Sequence, residues 1–331
     1  MPLVSIIVPI YGVEACIERC AVSLFEQTFY DIEYIFVNDC STDQSFPILT
    51  QIFDKYPARK NQVRIITHKE NKGLSASRNT GLRHASCDFI IHIDSDDFIE
   101  NDYVELLLKR QRETNADIVF TGRNFVYADI TKSIFLRNYE DIEKWRVDLL
   151  VGKFPHTVWG CLITKDLYVK NQITSIEGLH QGEDFAVMAR LAYYVKKISI
   201  VDKALYNYLI RTNIYQFNEN IVQDTYTSWD IVNKFYYSKK DYYKYEESLN
   251  LRLFSFYSWQ IMCWACNNKC DRESAEFIAR TFCNVVYSQN ISIKKYIPVI
   301  LFESRRYKLS TIYAKLYLII QRLIKRRGRE L

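Results

Sequence analysis

Glycine and proline are scarce, with nine and six residues in a chain of 331. So few chain breakers argue against long flexible linkers, and no internal repeat or low-complexity stretch is present. No run of about 18 or more uncharged apolar residues occurs, so a membrane-spanning helix is not expected. The apolar run Val4 to Ile10 is too short for the core of a secretion signal and has no basic residue before it. Nine cysteines, an odd number, without an export signal read as reduced thiols in the cytoplasm. Two phosphate-binding signatures are also missing. There is no glycine loop closing on Gly-Lys-Ser/Thr and no Gly-x-Gly-x-x-Gly, which argues against a P-loop ATPase and against an NAD enzyme.

What is present is apolar and aromatic. Hydrophobic residues make up 48% of the chain, charged residues 25%, and there are 25 tyrosines. This is a globular composition with ample core material. Aromatic clefts also suit sugars, which offer apolar ring faces and hydroxyl edges. The net charge of +5 is unevenly spread. From Ile291 to Leu331 many Lys and Arg residues stand against only Glu303 and Glu330. Within that stretch Leu309, Ile312, Tyr313, Leu316, Ile319, Ile320 and Leu323 recur at helical spacing, followed by Lys325, Arg326, Arg327 and Arg329. Such a basic amphipathic helix suits an anionic membrane surface. A helix packed on the protein with a solvated basic end is the plainer alternative.

The first 120 or so residues alternate between strand and helix periods. Strands are expected at Val4–Ile10, Glu33–Val37, Val63–Thr67, Phe89–Ile93 and Ile118–Thr121. Helices are expected at Glu14–Thr28, Thr42–Tyr56, Ser75–Ala85 and Asp102–Glu113. This alternation specifies an α/β fold with a mostly parallel sheet between helices. Ligands in such sheets bind beyond the carboxyl ends of the strands. The pattern loosens from Phe125 to Asn213, and long helical stretches dominate from Asn218 onward.

The residues after the strands carry the chemistry. His92-Ile93-Asp94-Ser95-Asp96-Asp97 follows the fourth strand. Three carboxylates crowded there repel one another unless a hard divalent cation joins them, and Mg²⁺ or Mn²⁺ would keep positions open for substrate phosphates. The alternative is a turn in which Asp97 and Asp102 cap the next helix. Val37-Asn38-Asp39-Cys40-Ser41-Thr42-Asp43 follows the second strand, with Asp39 set to accept hydrogen bonds from a base or ribose and Ser41 or Thr42 set to cap a helix. Asn71 to Gly81 is a polar loop entering a helix with Arg78, an arrangement suited to an anionic nucleotide. Gly182-Glu183-Asp184-Phe185 opens a later helix, where acidic residues are also favoured by the dipole alone.

Together these segments resemble the inverting family 2 glycosyltransferases of the GT-A fold. The resemblance runs through Val4-Ser-Ile-Ile-Val-Pro-Ile-Tyr11, Val37 to Asp43, Asn71 to Gly81, Asp94 to Asp97 and Glu183-Asp184, over about residues 1–215. It implies a Rossmann-like, mostly parallel sheet with a helical C-terminal extension. Pro9 and Tyr11 would line the base pocket, Asp39 would contact the base, and Arg78 would help hold the nucleotide. Asp94 would contact the ribose or support the metal, Asp96 would bind Mn²⁺ or Mg²⁺, and Asp184 would be the catalytic base with Glu183 beside it. The donor would be a nucleotide sugar, with UDP first, and the acceptor a glycan or lipid-linked glycan in cell-surface polysaccharide synthesis. The implied transferase domain is residues 1–220, with donor binding in residues 1–122 and acceptor binding in residues 123–220, and residues 221–331 form the helical region. The implied location is the inner face of the cell membrane, peripherally bound, with no nucleic-acid partner.

Some positions depart from the family pattern. Cys40 replaces the usual glycine, Asn38 a frequent aspartate, and Ser77 a common alanine. Trp159-Gly160-Cys161-Leu162 lacks the lysine of the family's Trp-Asn-Lys segment, so Cys161 receives no role. Arg211-Thr212-Asn213 resembles a basic segment near the diphosphate. Cys263, Cys266 and Cys270 share one helix face without a nearby histidine, which favours core thiols over zinc. The aromatics from Tyr226 to Tyr257 likewise read as core. Rival functions are a sugar-phosphate nucleotidyltransferase, which would need a glycine-rich basic start, a non-catalytic nucleotide-binding scaffold, and a nucleic-acid binder.

Overall fold

In the computed structural model the run Val4–Ile10 forms strand β1, buried at every position. Residues 3–128, 130–210, 217–266, 271–285 and 293–305 are described, together with 307, 309, 312, 313 and 316. The chain falls into two compact units, residues 1–146 with 155–211, and residues 147–154 with 212–331.

The first unit follows β1 with α1 (Ile17–Phe25), β2 (Ile32–Asn38), α2 (Ser45–Lys55), β3 (Val63–Thr67), α3 (Leu74–His84) and β4 (Phe89–His92). Next come β5 (Phe98–Ile99), α4 (Tyr103–Thr114), β6 (Ile118–Val126) and β7 (Thr131–Ile134). Helix α5 (Ile142–Val151) crosses the division between the units, and β8 (Cys161–Thr164), α6 (Lys165–Lys170), α7 (Glu183–Tyr194) and β9 (Ile198–Leu209) complete the first. The sheet order is β3-β2-β1-β4-β8-β6-β9-β5, with β7 beside β6. The pairs β1–β2, β1–β4, β2–β3 and β6–β9 are parallel. Strand β8 runs antiparallel between β4 and β6, so those two share one direction. The mostly parallel α/β architecture is therefore present, with β5, β7 and β8 as the reversed strands.

Proline in a central strand needs an explanation, because it removes a ladder donor. Ile7 accepts from Ile93 N on the β4 side, so the residue two further along faces that side as well. Strand β4 pairs with β1 only as far as His92. The donor that Pro9 lacks thus points past the end of β4, and no ladder bond is lost. The chain can leave the sheet there, at the point where strand order reverses around β1, which is where a ligand crevice opens in such folds.

Helix α2 begins at Ser45, later than the expected Thr42. Ser41 and Thr42 do not cap it. Asp43 accepts from Ser41 Oγ, Ser45 N and Glu14 N, while Ser41 Oγ and Ser45 Oγ accept from Gly12 N and Val13 N. The hydroxyls and Asp43 are spent on bracing the 12–14 loop against the 41–45 loop. Helix α1 likewise starts at Ile17 rather than Glu14.

The second unit is helical in its described elements: α8 (Glu219–Tyr237), α9 (Glu246–Cys266), α10 (Arg272–Thr281) and α11 (Ile293–Glu303). Asn218 and Asp271 cap α8 and α10 through their side chains. Trp229, Phe254, Tyr257, Ile261 and Trp264 form its core, and Cys263 is buried there as a thiol. Most of the aromatic run 226–257 is thus core, although Tyr237 and Tyr243 are exposed. Cys270, Arg211–Asn213 and most of the basic amphipathic tail lie outside the described residues. No helix among the described residues is long and apolar enough to cross a membrane.

Helix α3 sits unusually close to β1. A Cβ built on Gly81 would lie 2.3 Å from Ile7 Cγ2, and Ile7 is fully buried. The glycine is therefore a packing requirement. Gly81→Ala is expected to destabilise the protein by about 1–3 kcal/mol through overpacking, read as a lower urea midpoint. An unchanged midpoint would show that α3 can retreat from the sheet without cost.

Candidate functional site

The parallel strands β1, β2, β3 and β4 deliver their carboxyl ends to one edge of the sheet. Tyr11 emerges from β1 largely exposed, just after buried Ile10. Asp39 follows β2 and is buried. Its Oδ1 receives Lys72 N at 2.9 Å and His68 Nδ1 at 2.7 Å, and its Oδ2 receives Gly73 N at 2.7 Å. A carboxylate has about four lone-pair sites, so one remains for a ligand. Asp39 thus fixes the 72–73 loop as well as facing the edge of the sheet. Gly73 has φ +85°, a left-handed conformation that glycine adopts without strain, and it leads directly into α3. His68 was not singled out from sequence. Its Nε2 meets Thr80 Oγ1 at 2.9 Å, where Arg83 also donates. With Arg83 donating to that oxygen, Thr80 O–H is free to donate to Nε2, leaving Nδ1–H for Asp39.

The acidic turn after β4 splits into two pairs. Asp94 and Asp96 are partly exposed, whereas Ser95 and Asp97 are buried. Asp97 Oδ2 accepts from Tyr206 O–H at 2.8 Å and its Oδ1 from Leu209 N at 2.9 Å, both on β9. Burial, helped by Asp94 and Asp96, pushes the Asp97 carboxyl up to about 8. Asp97 is mostly neutral at pH 7 and caps no helix. Asp102 does precede α4, but its side chain makes no cap and pairs with Lys203 at 2.9 Å. The crowding read from sequence is eased because burial favours the protonated form of Asp97, while Asp94 and Asp96 stay partly exposed.

Arg78, on α3, is only 2% exposed. Its Nη2 donates to Asp94 Oδ1 at 2.8 Å and its Nη1 to Asp184 Oδ1 at 2.7 Å, with Glu183 Oε1 at 3.5 Å. The guanidinium that sequence assigned to the nucleotide is thus spent joining the turn after β4 to the start of α7. Burial raises the proton affinity of Asp184 to about 7, opposed by Arg78 and reinforced by Glu183 and Asp94. Burial raises Glu183 as well, against Arg78. His92 lies behind this group, buried and held neutral, its proton affinity pulled down to about 3 by burial and by Arg78.

An aromatic stack absent from the sequence expectations joins β9 to the segment before β8. Trp159 stacks on Tyr206 at 4.6 Å and on Tyr208 at 5.1 Å between ring centres. Arg123 lies over Trp159, its guanidinium carbon 4.8 Å from the ring centre. Only the tryptophan had drawn notice in the sequence. The rest depend on strand pairing, which local patterns do not encode.

Among the described residues no group of three or more His, Cys, Asp or Glu side chains forms a ready-made metal cage. Asp94 and Asp96 nevertheless offer hard oxygens in the one-or-two-carboxylate mode that Mg²⁺ uses when phosphates complete its shell. The donor set fits that mode.

Residues 5–166 match the family described as "Glycosyl transferase family 2". The chain is 32% identical over 216 residues to the "Uncharacterized glycosyltransferase EpsJ" of Bacillus subtilis, covering 63% of this chain and 61% of that protein. It is 33% identical over 228 residues to "Glycosyltransferase GlyA" of Streptococcus pneumoniae, covering 63% of this chain and 30% of that one. The chain therefore spans less than two thirds of the length of these relatives. The fold is similar to that of S. aureus TarS 1-349 in complex with UDP, with TM-score 0.69 at 19% identity over 95% of this chain and 91% of that one. It is also similar to mannosyltransferase PcManGT from Pyrobaculum calidifontis in complex with GDP-Man and Mn²⁺, with TM-score 0.57 at 13% identity over 95% and 86%. At these identities the likeness shows the fold alone, the GT-A arrangement.

Arg78 is the cation that Asp94, Glu183 and Asp184 share, so removing it should strand buried charge. Arg78→Met is expected to cost about 3–5 kcal/mol at neutral pH, measured by urea denaturation. The loss should shrink toward pH 5, because the freed carboxylates can then take up protons. A pH-independent loss would mean that packing, not charge, is what Arg78 supplies.

Proposed function

We propose that this chain, whose residues 5–166 match glycosyl transferase family 2, is a member of that family and transfers a sugar from a nucleoside-diphosphate sugar to a hydroxyl of a glycan or lipid-linked acceptor, with inversion at the anomeric carbon. The sugar is of the hexosyl or N-acetylhexosaminyl class, and the product belongs to cell-surface polysaccharide. The observation that carries this reading is the pinning of Asp184 through Arg78 to Asp94, which holds a carboxylate of raised proton affinity beside the donor edge of the sheet.

The reaction needs one base. Asp184 accepts the proton of the acceptor hydroxyl as that oxygen bonds to the anomeric carbon. The bond from that carbon to the diphosphate oxygen breaks, and its electron pair leaves with the nucleoside diphosphate. Arg78 keeps the Asp184 carboxylate aimed and some of its charge compensated. Asp39, steadied by His68 and the 72–73 loop, keeps an acceptor position for the base, with Pro9 and Tyr11 lining the pocket. A bound Mn²⁺ or Mg²⁺, held by Asp96 with Asp94 beside it, supplies neutralisation of the diphosphate charge. UDP is the first choice of nucleotide, since TarS is crystallised with UDP and with UDP-GlcNAc. The donor is assigned to residues 1–122 and the acceptor to residues 123–220 on the roles proposed for Asp39, Asp94 and Asp96 in the first range and for Asp184 in the second. The basic C-terminal segment supports peripheral attachment to an anionic membrane, on sequence grounds.

The test is to incubate the protein with UDP-GlcNAc, UDP-glucose, UDP-galactose and GDP-mannose plus Mn²⁺ and to follow release of the nucleoside diphosphate. Asp184→Asn should keep nucleotide binding and lose roughly 10²–10⁴-fold in transfer rate. Near-normal transfer in that variant would move the base elsewhere. Since the working form of Asp184 is the carboxylate, the rate should rise with pH to a plateau above about 7 and fall on acidification, well above the ordinary carboxylate range. A rate flat down to pH 5 would contradict the assignment. Asp96→Ala should abolish the metal-dependent component of donor affinity, read by calorimetry with and without Mn²⁺. Metal-dependent affinity equal to that of the native protein would remove Asp96 from the site.

A further inference from the structure

We propose that Arg123, seated over Trp159, is the anion-binding group of the acceptor subsite, taking the carboxylate or phosphate of an acidic acceptor. This rests on the glycosyl-transfer reading and deepens it.

Arg123 is mostly buried on β6, yet among the described residues it makes no ion pair or hydrogen bond. The other arginine at this site is spent, since Arg78 holds two carboxylates. A guanidinium stripped of water and left without an anion is costly to the fold, so packing alone gives no reason to keep it. An incoming anion would offset that cost. Burial already pulls its proton affinity down to about 10, which leaves it charged at any physiological pH.

The backbone is built to place it. Strand β6 shifts register against β9 on both sides of Gly122, the residue just before Arg123. A Cβ on Gly122 would lie 2.6 Å from Ile134 O and 3.0 Å from Lys203 O, so only glycine fits this irregularity. Bulges of this kind re-aim the neighbouring side chain. Here the side chain comes to rest on Trp159, whose other ring contacts are Tyr206 and Tyr208. Tyr208 remains partly exposed and can offer its ring to a sugar face.

The side of the site decides which substrate meets Arg123. Asp94 and Asp96 follow β4, whereas β6 lies two strands away, beyond β8. Asp184 is the carboxylate whose charge reaches Arg123. The cation therefore stands with the base that activates the acceptor hydroxyl, apart from the carboxylates assigned to the diphosphate and metal. A negative group on the acceptor is the partner that fits.

The experiment uses the full chain in the presence of UDP and measures the affinities of methyl β-glucuronide, glycerol 1-phosphate and the uncharged methyl β-glucoside by ligand-observed NMR. At least one anionic probe should bind about tenfold or more tighter than the neutral one, as a charged hydrogen bond implies. The two anionic probes distinguish a carboxylate from a phosphate acceptor. Arg123→Gln should erase the preference while UDP affinity stays within twofold or so, and Arg123→Lys should keep some of the preference. Arg123→Met should melt no lower than the native protein, since an unpaired buried charge is removed. Equal binding of charged and neutral probes by the native protein would overturn the proposal. So would a preference that survives Arg123→Gln, or a parallel loss of UDP affinity, which would put Arg123 on the diphosphate. A native protein that neither binds UDP nor turns over any UDP-sugar would remove the transferase reading, and with it the acceptor assignment, while the Arg123-dependent preference is scored separately.

Discussion

One guanidinium holds the site together. Arg78 reaches from α3 to the turn after β4 and to the first turn of α7, and each contact ends on a carboxylate at 2.7–2.8 Å. An ion pair this deep recovers its desolvation cost only when the geometry is good. Arginine suits the task because its separate nitrogens can bond two different carboxylates at once, which a point-like ammonium does less well. The consequence reaches beyond stability. One positive charge faces Asp94, Glu183 and Asp184, and Asp96 stands nearby, so the cleft stays electronegative. Burial keeps Asp184 avid for a proton, with Glu183 and Asp94 adding to it against Arg78, and the excess of carboxylates suits a cation.

Asp97 solves the opposite problem. A fifth ionised carboxylate so near would add repulsion without adding a ligand. Sealed under Tyr206 and the Leu209 amide, its carboxyl is pushed up to about 8 by burial, and it ties the acidic turn to β9. The tie also sets phase. With Ser95 and Asp97 inward, Asp94 and Asp96 are turned the other way together. The neutral member of the motif thus orients the charged ones, and Tyr206 links them to the aromatic stack.

Much of this was legible in the chain. The runs Val4–Ile10 and Ile118 onward announced strands because buried parallel strands are apolar throughout, and the glycine at 81 sat in a recognisable motif. The start of α2 differs from the expectation because Ser41 and Asp43 are engaged in a cross-loop brace rather than a cap. Strands β5 and β7 are too short or too exposed to leave a signal, and β8 shows that four residues suffice when both neighbours are present. The state of Asp97, the spending of Arg78 and the role of His68 depend on partners distant in sequence. No local pattern reports them. Cys40 is instructive in the other direction: its φ of +58° is the conformation for which glycine is the usual residue, so the departure in sequence marks a strained bend that persists.

The two sides of the cleft differ in how they are encoded. The donor side comes from three successive strand–loop–helix units, so Asp39, the 72–81 segment and Asp94–Asp97 each lie within a few residues of a strand end. A motif read along the chain captures them. The side proposed for the acceptor is assembled from β6, the segment before β8, the start of α7 and β9, brought together by a sheet that mixes parallel and antiparallel pairings. Its chemistry is carried by Arg123, Trp159, Asp184 and Tyr208, which share no local pattern. On the proposed assignment, re-pairing or re-aiming the second side would alter the acceptor while leaving the first side as it is. The register shift at Gly122 immediately precedes Arg123, whose guanidinium rests over Trp159.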